Sequence, residues 1–168
     1  VGNGTASAAP VATPTQVQGL TSGVQAIATS GGHSCAIVNG GAYCWGNNDY
    51  GKLGDGTTTP SNCAIDVQGI ANAVDVAAGR DYGCAVTDTG GVKCWGMEPQ
   101  GNHGSGSASD VFGMYDVTGD NGVPLGLDGK TARRISAGLL HACAIVDTGT
   151  DTGAVYCWGN NEYGQLGN

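Results

Sequence analysis

The chain has 168 residues, of which 32 are glycine and only 12% are charged, and its formal net charge is −8. This length suffices for one domain with a buried core, and no apolar run approaches the roughly 18 residues of a membrane-spanning helix. Only six residues are Lys or Arg, which argues against nucleic-acid binding because phosphate backbones require clustered cations. Short apolar runs rich in Gly, Thr, Val and Ala are typical of many short strands joined by tight turns.

A repeated unit runs through the chain. Three similar stretches read IATSGGHSCAI at 27–37, VAAGRDYGCAV at 76–86 and ISAGLLHACAI at 135–145. Each is followed by a turn and a second strand with a Cys-Trp-Gly sequence, at Trp45, Trp95 and Trp158. A period of about 50 residues is typical of β-propeller blades and not of helical solenoids. We therefore predict an all-β, β-propeller-like fold with three four-stranded blades.

The predicted boundaries define a single repeat domain over 1–168. Its units cover approximately 21–70, 71–130 and 131–168. The second unit carries an insertion at 98–130. Long surface insertions cost little closure entropy and often lie on one face of a repeat protein.

The insertion does not repeat, and loops on rigid scaffolds often carry recognition. Phe112, Met114 and Tyr115 are therefore candidate partner-binding residues, and a loop without a binding role is the alternative.

The beginning and the end of the chain correspond to the same region of the repeated unit. The first twenty residues match the link at 53–70, since VGNGT and VQGL resemble LGDGT and VQGI, and the last residues read LGN. We expect the third blade to need a strand like 1–20, so that the propeller is open or is completed by other blades. These blades would belong to a longer chain, to a second copy in a ring, or to the next copy in a head-to-tail fibre.

Six of the seven cysteines belong to the repeat. Asn39-Gly40 is the strongest two-residue hairpin signal, and folding the chain there places Cys35 opposite Cys44 in a non-hydrogen-bonded pair. The Cα atoms of such pairs lie about 4.5 Å apart, within the reach of a disulfide. Loops at 88–90 and 147–153 give the same result for two further pairs, Cys84 with Cys94 and Cys143 with Cys157.

Two interpretations of these pairs stay open. Three disulfides indicate an oxidising compartment and hence an exported protein, whereas reduced cysteines would pack as small buried hydrophobic residues in a cytosol. A zinc site lacks support because no Cys-x-x-Cys or His pair has ligand spacing. Cys63 has no counterpart in the N-terminal stretch, and we interpret it as an unpaired thiol or as the site of an intermolecular bond.

The pattern G-x-x-H-x-C-A-[IV] followed by CWGNNDYGKLGDGT at 44–57 resembles the regulator of chromosome condensation repeat. It is similar to the bacterial, cysteine-bearing version found in secreted and surface proteins, over nearly the whole chain except the insertion. The resemblance implies one four-stranded blade per unit and usually seven units in a closed ring. The three units found here depart from that number, so we do not expect this chain to close a ring alone.

The functions known in this family differ widely. The eukaryotic founder exchanges nucleotide on a small GTPase and binds chromatin, whereas a secreted bacterial relative inhibits β-lactamase through its propeller face. A fold does not choose among such functions. The absence of a basic patch makes chromatin binding the weakest of these candidates.

No residue pattern predicts catalysis. His33 and His141 share one repeat position with Tyr82, which indicates a structural hydrogen-bonding role, and His103 lies in the insertion. The turn at 47–56 is rich in oxygen ligands but lacks the calcium-loop spacing, and GNHGSGSASD lacks the Lys-Ser/Thr of a phosphate loop. The recurring Trp residues favour packing over a binding platform.

We therefore predict a non-enzymatic extracellular scaffold at the cell surface, with no cofactor, no metal site, no nucleic acid and no membrane span. It would be a subunit of a surface filament or pilus-like fibre, because unpaired blade edges recruit other strands. The alternative is a protein-binding propeller segment of a larger secreted adhesin or enzyme inhibitor. A small-GTPase exchange factor is the third possibility.

Overall fold

The computed structural model describes residues 2–6, 9–97, 101–102, 104, 113–116, 127 and 129–168, with backbone only at 113–116. It contains three antiparallel sheets, each a meander in chain order. We call these sheets blades. Blade 1 consists of β1 (Val24–Thr29), β2 (His33–Val38), β3 (Gly41–Gly46) and β4 (Ser61–Asp66). Blade 2 consists of β5 (Ala73–Ala78), β6 (Tyr82–Thr87), β7 (Val92–Gly96) and β8 (Gly113–Asp116). Blade 3 consists of β9 (Thr131–Ala137), β10 (His141–Asp147) and β11 (Thr152–Gly159).

The sheets confirm the all-β, propeller-like prediction. Blade 3 has three strands in the described part of the chain, where blades 1 and 2 have four. The insertion predicted at 98–130 also contributes to a blade, since Gly113–Asp116 pairs with β7 as the outer strand of blade 2. Among the described residues no helix is long and apolar enough to cross a membrane.

The hairpins have the predicted register. Asn39 and Gly40 adopt φ angles of 49° and 82°, as a two-residue primed turn requires, and Cys35 lies opposite Cys44. The turn of blade 3 is shorter than predicted. Asp147 pairs with Thr152 across a bulge, so the loop is confined to 148–151.

Each blade has two faces because side chains alternate along a strand. The cysteine face carries the Cys pair, the residue two positions after the first Cys and the residue two positions before the second. These residues are Cys35, Ile37, Ala42 and Cys44 in blade 1, Cys84, Val86, Val92 and Cys94 in blade 2, and Cys143, Ile145, Val155 and Cys157 in blade 3. The tryptophan face carries Trp45, Ala36 and Ile27 in blade 1, Trp95, Ala85 and Val76 in blade 2, and Trp158, Ala144 and Ile135 in blade 3.

The core lies between successive blades. The cysteine face of blade 1 packs against the tryptophan face of blade 2, and Ile37, Trp95 and their neighbours form one buried cluster. The cysteine face of blade 2 packs in the same way against blade 3, where Val86 and Ile135 belong to a second cluster. Each blade is therefore stabilised by its neighbour, as in other repeat folds.

The glycine after each Trp is required by the close approach of the chain just before the second strand of the same blade. Gly46, Gly96 and Gly159 have φ angles of 112°, 97° and 107°, a region that L side chains rarely adopt. A Cβ atom on Gly46 would lie 2.5 Å from the carbonyl oxygen of Gly32, and one on Gly159 would lie 2.5 Å from that of Leu140. This close approach explains why Trp-Gly recurs in every unit.

Candidate functional site

The cysteine face of blade 3 is an open apolar surface. Ile145 is 39% exposed and Val155 is 64% exposed, whereas their counterparts Ile37, Val86 and Val92 are fully buried. The opposite face of the same blade is covered, with Ala144 only 1% exposed. Among the described residues, blade 3 therefore has a neighbour on its tryptophan face and none that buries its cysteine face.

The tryptophan face of blade 1 is the second open surface. Ile27 is 63% exposed, compared with 4% for Val76 and 8% for Ile135 at the same repeat position. An open groove of about 460 Å³ runs along this face. Its lining includes Val17, Leu20, Val24, Ile27, Ala36 and Trp45.

The N-terminal segment forms one wall of the groove, and it packs as the link between blades 1 and 2 does. A Cβ atom on Gly2 would lie 2.8 Å from Trp45 Nε1, and one on Gly54 would lie 2.9 Å from Trp95 Cδ1. The N–H of Gln18 donates to the carbonyl of Gly2, as that of Gln68 donates to Gly54. The ends of this segment therefore lie against blade 1, in the place of a preceding unit.

The middle of the segment corresponds to an outer strand. The matching VQG sequences align residues 11–16 with β4, so that Thr15 corresponds to Ile65, which lies opposite Cys44. Residues 11–16 belong to no sheet in the described part of the chain. β11 pairs with β10 alone among the described strands, so an unpaired strand edge and an unpaired strand sequence occur in one chain.

A buried ion pair joins blades 1 and 2. Lys52 Nζ lies 2.6 Å from Asp81 Oδ1, with the two side chains 6% and 11% exposed. Burial alone would raise the pKa of Asp81, but the hydrogen bonds and charges of Lys52 and Arg80 hold it below its usual value. This pair could not be predicted from the sequence, because Lys52 and Asp81 belong to different units and come together only in the folded chain.

The Trp side chains connect blades. The Trp95 indole N–H donates to the Lys52 carbonyl at 3.0 Å, and the Trp158 indole donates to the Asn102 carbonyl at 2.9 Å. Asn102 therefore occupies the position of Lys52 at the next junction. Because Trp95 is only 1% exposed, these contacts are consistent with the packing role that the recurrence favoured.

The His/Tyr position also joins neighbours. The Tyr82 hydroxyl donates to the His141 carbonyl at 2.5 Å, and burial raises the pKa of Tyr82 above its usual value. His33 Nδ1 lies 3.0 Å from Ser30 Oγ. Burial and the charge of Lys52 lower the pKa of His33 to about 4, so this residue is neutral near pH 7. These contacts agree with the structural role predicted for the position, and His103 lies outside the described residues.

The oxygen-rich turn at 47–56 is held by its own side chains. The fully buried Asn48 donates to Asp55 Oδ1 and to the Thr57 and Thr59 carbonyls, and accepts from the Leu53 N–H. Burial would raise the pKa of Asp55, but hydrogen bonds from Thr57 and Asn48 lower it. In the part of the chain that is described, no three His, Cys, Asp or Glu side chains form a group able to hold a metal ion.

The cysteines occupy two environments. Disulfides join Cys35 to Cys44, Cys84 to Cys94 and Cys143 to Cys157, with Cα separations of 4.1, 4.0 and 4.1 Å. Cys63 is a free, partly exposed thiol on β4, and its Sγ lies 3.4 Å from Gln18 Oε1.

The candidate partner-binding residues lie at the edge of the described region. The backbones of Met114 and Tyr115 belong to β8, opposite Trp95 and Cys94. Phe112 lies outside the described residues. Their predicted partner contact stays a prediction.

Comparisons with solved structures support the fold. Human WBSCR16 matches with a TM-score of 0.65 and 26% identity, over 86% of this chain and 36% of that one. Yeast RCC1 (Prp20), in its complex with Kap60, matches with a TM-score of 0.63 and 20% identity, over 83% of this chain and 30% of that one. This chain thus spans about a third of the length of these propellers.

A curated relative matches a shorter stretch. The human E3 ubiquitin-protein ligase HERC2 is 46% identical over 43 residues, which are 26% of this chain and 1% of that protein.

The repeat itself is matched by two family profiles, both described as the regulator of chromosome condensation (RCC1) repeat. One covers 24–52, 73–104 and 132–165, which together make up more than half of the chain, and the other covers 39–86. The three matches of the first profile fall on the three blades. The chain therefore belongs to the RCC1 repeat family, of which it forms a three-bladed propeller segment.

Proposed function

We propose that this propeller segment is a non-enzymatic, extracellular scaffold that binds protein through its open blade edge, and that it builds a surface filament by pairing with copies of itself. The observation that carries the proposal is that the outer edge of β11 pairs with no described strand, while the β4-like sequence at 11–16 belongs to no described sheet. An exposed edge presents free N–H and C=O groups that template another strand. Strand addition supplies main-chain hydrogen bonds to such an edge.

The donor segment has a defined register. By the alignment with β4, Thr15 of one copy would lie opposite Cys157 of the next, as Ile65 lies opposite Cys44. Cys157 and Cys143 form a close pair with a Cα separation of 4.1 Å, which is typical of non-hydrogen-bonded partners. The main-chain groups of Cys157 therefore point towards the open edge, where Thr15 would meet them.

Pro14 of the donor segment is compatible with this register. Pro14 precedes Thr15, so its main chain would point away from β11. A proline is tolerated in an outer strand when its missing N–H would face solvent.

The experiment compares two proline substitutions by negative-stain imaging and sedimentation. Wild-type protein is expected to form elongated assemblies. Thr15→Pro removes an N–H that would bond to β11 and is expected to leave small discrete particles, whereas Gln16→Pro, whose N–H would face outward, should assemble like wild type. Discrete wild-type particles at every concentration would contradict self-assembly.

The alternative function is a protein-binding segment of a larger secreted adhesin or enzyme inhibitor. It is favoured by the match to about a third of the length of solved propellers. In that case the open edge and faces bind further blades of the same chain, and recognition lies elsewhere, with Phe112, Met114 and Tyr115 as the proposed contacts. Alanine substitution of these residues should then weaken partner binding without changing assembly.

A third function, small-GTPase exchange, has less support. The yeast protein Prp20p, whose structure was described together with its binding properties to Gsp1p and histones, is 21% identical to this chain. Such a similarity shows only the fold, and folds of this kind host unrelated functions.

The proposed extracellular location rests on the three cysteine pairs, since persistent disulfides require an oxidising compartment. The bacterial, secreted type of repeat rests on the resemblance of the cysteine-bearing motif. Thiol titration of denatured, unreduced natural protein tests this location. One reactive thiol, Cys63, is expected, and seven would contradict export.

A further inference from the structure

We infer that the open cysteine face of blade 3 in one copy fills the groove on the tryptophan face of blade 1 in a second copy, in a head-to-tail contact. This inference rests on the proposed self-assembly and names the surface that performs it. The partner is a second copy of this chain, and the contact extends from the β11 edge over the whole blade face.

The chain itself provides the template for this contact. Ile37 and Ala42 on the cysteine face of blade 1 pack in one buried cluster with Val76, Ala85 and Trp95 on the tryptophan face of blade 2. The junction of blades 2 and 3 repeats the arrangement with different side chains. The same pair of faces has thus formed a buried interface twice within one molecule.

One cysteine face and one tryptophan face are not covered by another described blade. Blade 3 leaves a cysteine face open, with Ile145 and Val155 exposed, and blade 1 leaves a tryptophan face open, with Ile27 and Val24 exposed. Solvent-exposed apolar clusters of this kind are typical of protein-binding surfaces. Because both occur on one chain, a second copy supplies the missing neighbour for each.

The shape of the groove is consistent with this occupant. Residues 14–17 line it and correspond to residues 64–67, which run from β4 into the link between blades 1 and 2. Ile65 and Val67 pack with the cysteine face of blade 1 at that junction. The groove is therefore the space that a cysteine face would occupy, already flanked by the segment that would pair with β11.

The contact joins two different surfaces, so it is heterologous. A heterologous contact builds a filament when its rotation does not close and a ring when it does. Each copy carries one surface of each kind. A copy with one surface blocked can therefore still bind one neighbour through its other surface.

The test uses one charge on each face. Val155→Glu places a carboxylate on the cysteine face of blade 3, and Ile27→Glu places one on the tryptophan face of blade 1. The two side chains are 64% and 63% exposed, so the folded monomer should tolerate both changes. Thr58→Glu, at an exposed position between β3 and β4 that belongs to neither face, adds the same charge as a control.

Sedimentation velocity should show assembly by wild type and Thr58→Glu but monomers of each face variant, with self-association weakened at least about tenfold because a buried, unpaired charge is costly. An equimolar mixture of Val155→Glu and Ile27→Glu should form dimers and nothing larger, since one intact surface of each kind remains.

Face variants that assemble like wild type, or a mixture that stays monomeric, would overturn the head-to-tail contact while leaving self-assembly in place. A wild-type chain that is monomeric throughout would overturn both the contact and the proposed self-assembly.

Discussion

Blades 1 and 3 have the same residue types on their cysteine faces but very different surroundings. Ile37 and Ile145 follow their cysteines at the same distance, yet Ile37 is fully buried and Ile145 is 39% exposed. Blade 2 covers the first residue, whereas no described residue covers the second to that degree. Burial in this fold is thus decided by the neighbouring blade and not by the sequence of the blade itself.

The junction between blades 1 and 2 should give the largest effect of mutation. Asp81→Asn leaves the Lys52 ammonium buried without its partner, and breaking a buried pair in this way costs about 3–5 kcal/mol of unfolding free energy. The double variant Lys52→Asn/Asp81→Leu copies Asn102 and Leu140, which occupy these positions at the junction of blades 2 and 3. Denaturant unfolding should show a smaller loss for the double variant than for Asp81→Asn, and an equal or larger loss would contradict the assignment.

Ile37 and Ile145 occupy the same repeat position and differ mainly in whether a neighbouring blade covers them. Ile37→Ala removes a fully buried side chain and should cost about 2–5 kcal/mol through lost burial and the cavity left behind. Ile145→Ala leaves no enclosed cavity and should cost under about 1 kcal/mol in the monomer. Equal losses, measured by urea unfolding at concentrations where the protein is monomeric, would mean that the cysteine face of blade 3 is covered.

Acid should weaken blade 1 through His33. Its pKa is about 4 in the folded chain and near 6.5 when unfolded, so the unfolded chain binds the proton more readily between these values. The unfolding free energy should therefore fall by about 3 kcal/mol as the pH drops from about 6.5 to about 4. Below that window the depressed pKa of Asp81 adds a further loss.

The variant His33→Tyr places at this position the residue that blade 2 has at Tyr82. It should remove the part of the pH dependence that lies between pH 4 and 6.5. Chemical denaturation at a series of pH values checks this, and an unchanged pH profile in the variant would exclude His33 as its source.

The smallest expected difference in stability is between substitutions of two asparagines at the same turn position, Asn48 in blade 1 and Asn161 in blade 3. Asn48 is fully buried and bonded to several carbonyls, whereas Asn161 at the same position of blade 3 is exposed and bonds to Asn168 and Leu166. Asn48→Ala should lower the free energy of unfolding by about 1–3 kcal/mol, because the buried backbone groups that bond to the Asn48 side chain lose their partner. Asn161→Ala should cost less than half as much, and the reverse order in thermal unfolding would be inconsistent with the structure.

The sequence was sufficient for the local structure of each blade. Asn39-Gly40 located the first hairpin, and the resulting register placed Cys35 opposite Cys44. The Trp repeat indicated propeller blades, and the family match confirms them. These features depend on residues that are close together in the chain. The repeat pattern and the Asn-Gly turn are therefore sufficient to predict them.

Contacts between blades could not be predicted in the same way. The Lys52–Asp81 pair joins residues from two units, and the exposure of Ile145 reflects a missing neighbour. A fourth strand was predicted for blade 2, but its position at Gly113–Asp116 was not, because it lies within a segment without a clear repeat pattern. Such features depend on how one blade packs against the next, and the sequence pattern of a single unit does not predict that packing.

If copies assemble head to tail, blade 3 is open in the monomer and covered in the assembly. Hydrogen–deuterium exchange at increasing protein concentration distinguishes these two states of the blade. In β11 (Thr152–Gly159) the amides of Val155 and Cys157, which face the open edge, should exchange quickly in dilute protein and more slowly as the concentration rises, while those of the enclosed β6 (Tyr82–Thr87) remain slow throughout. Exchange at Val155 and Cys157 that does not depend on concentration would mean that no second copy covers this edge.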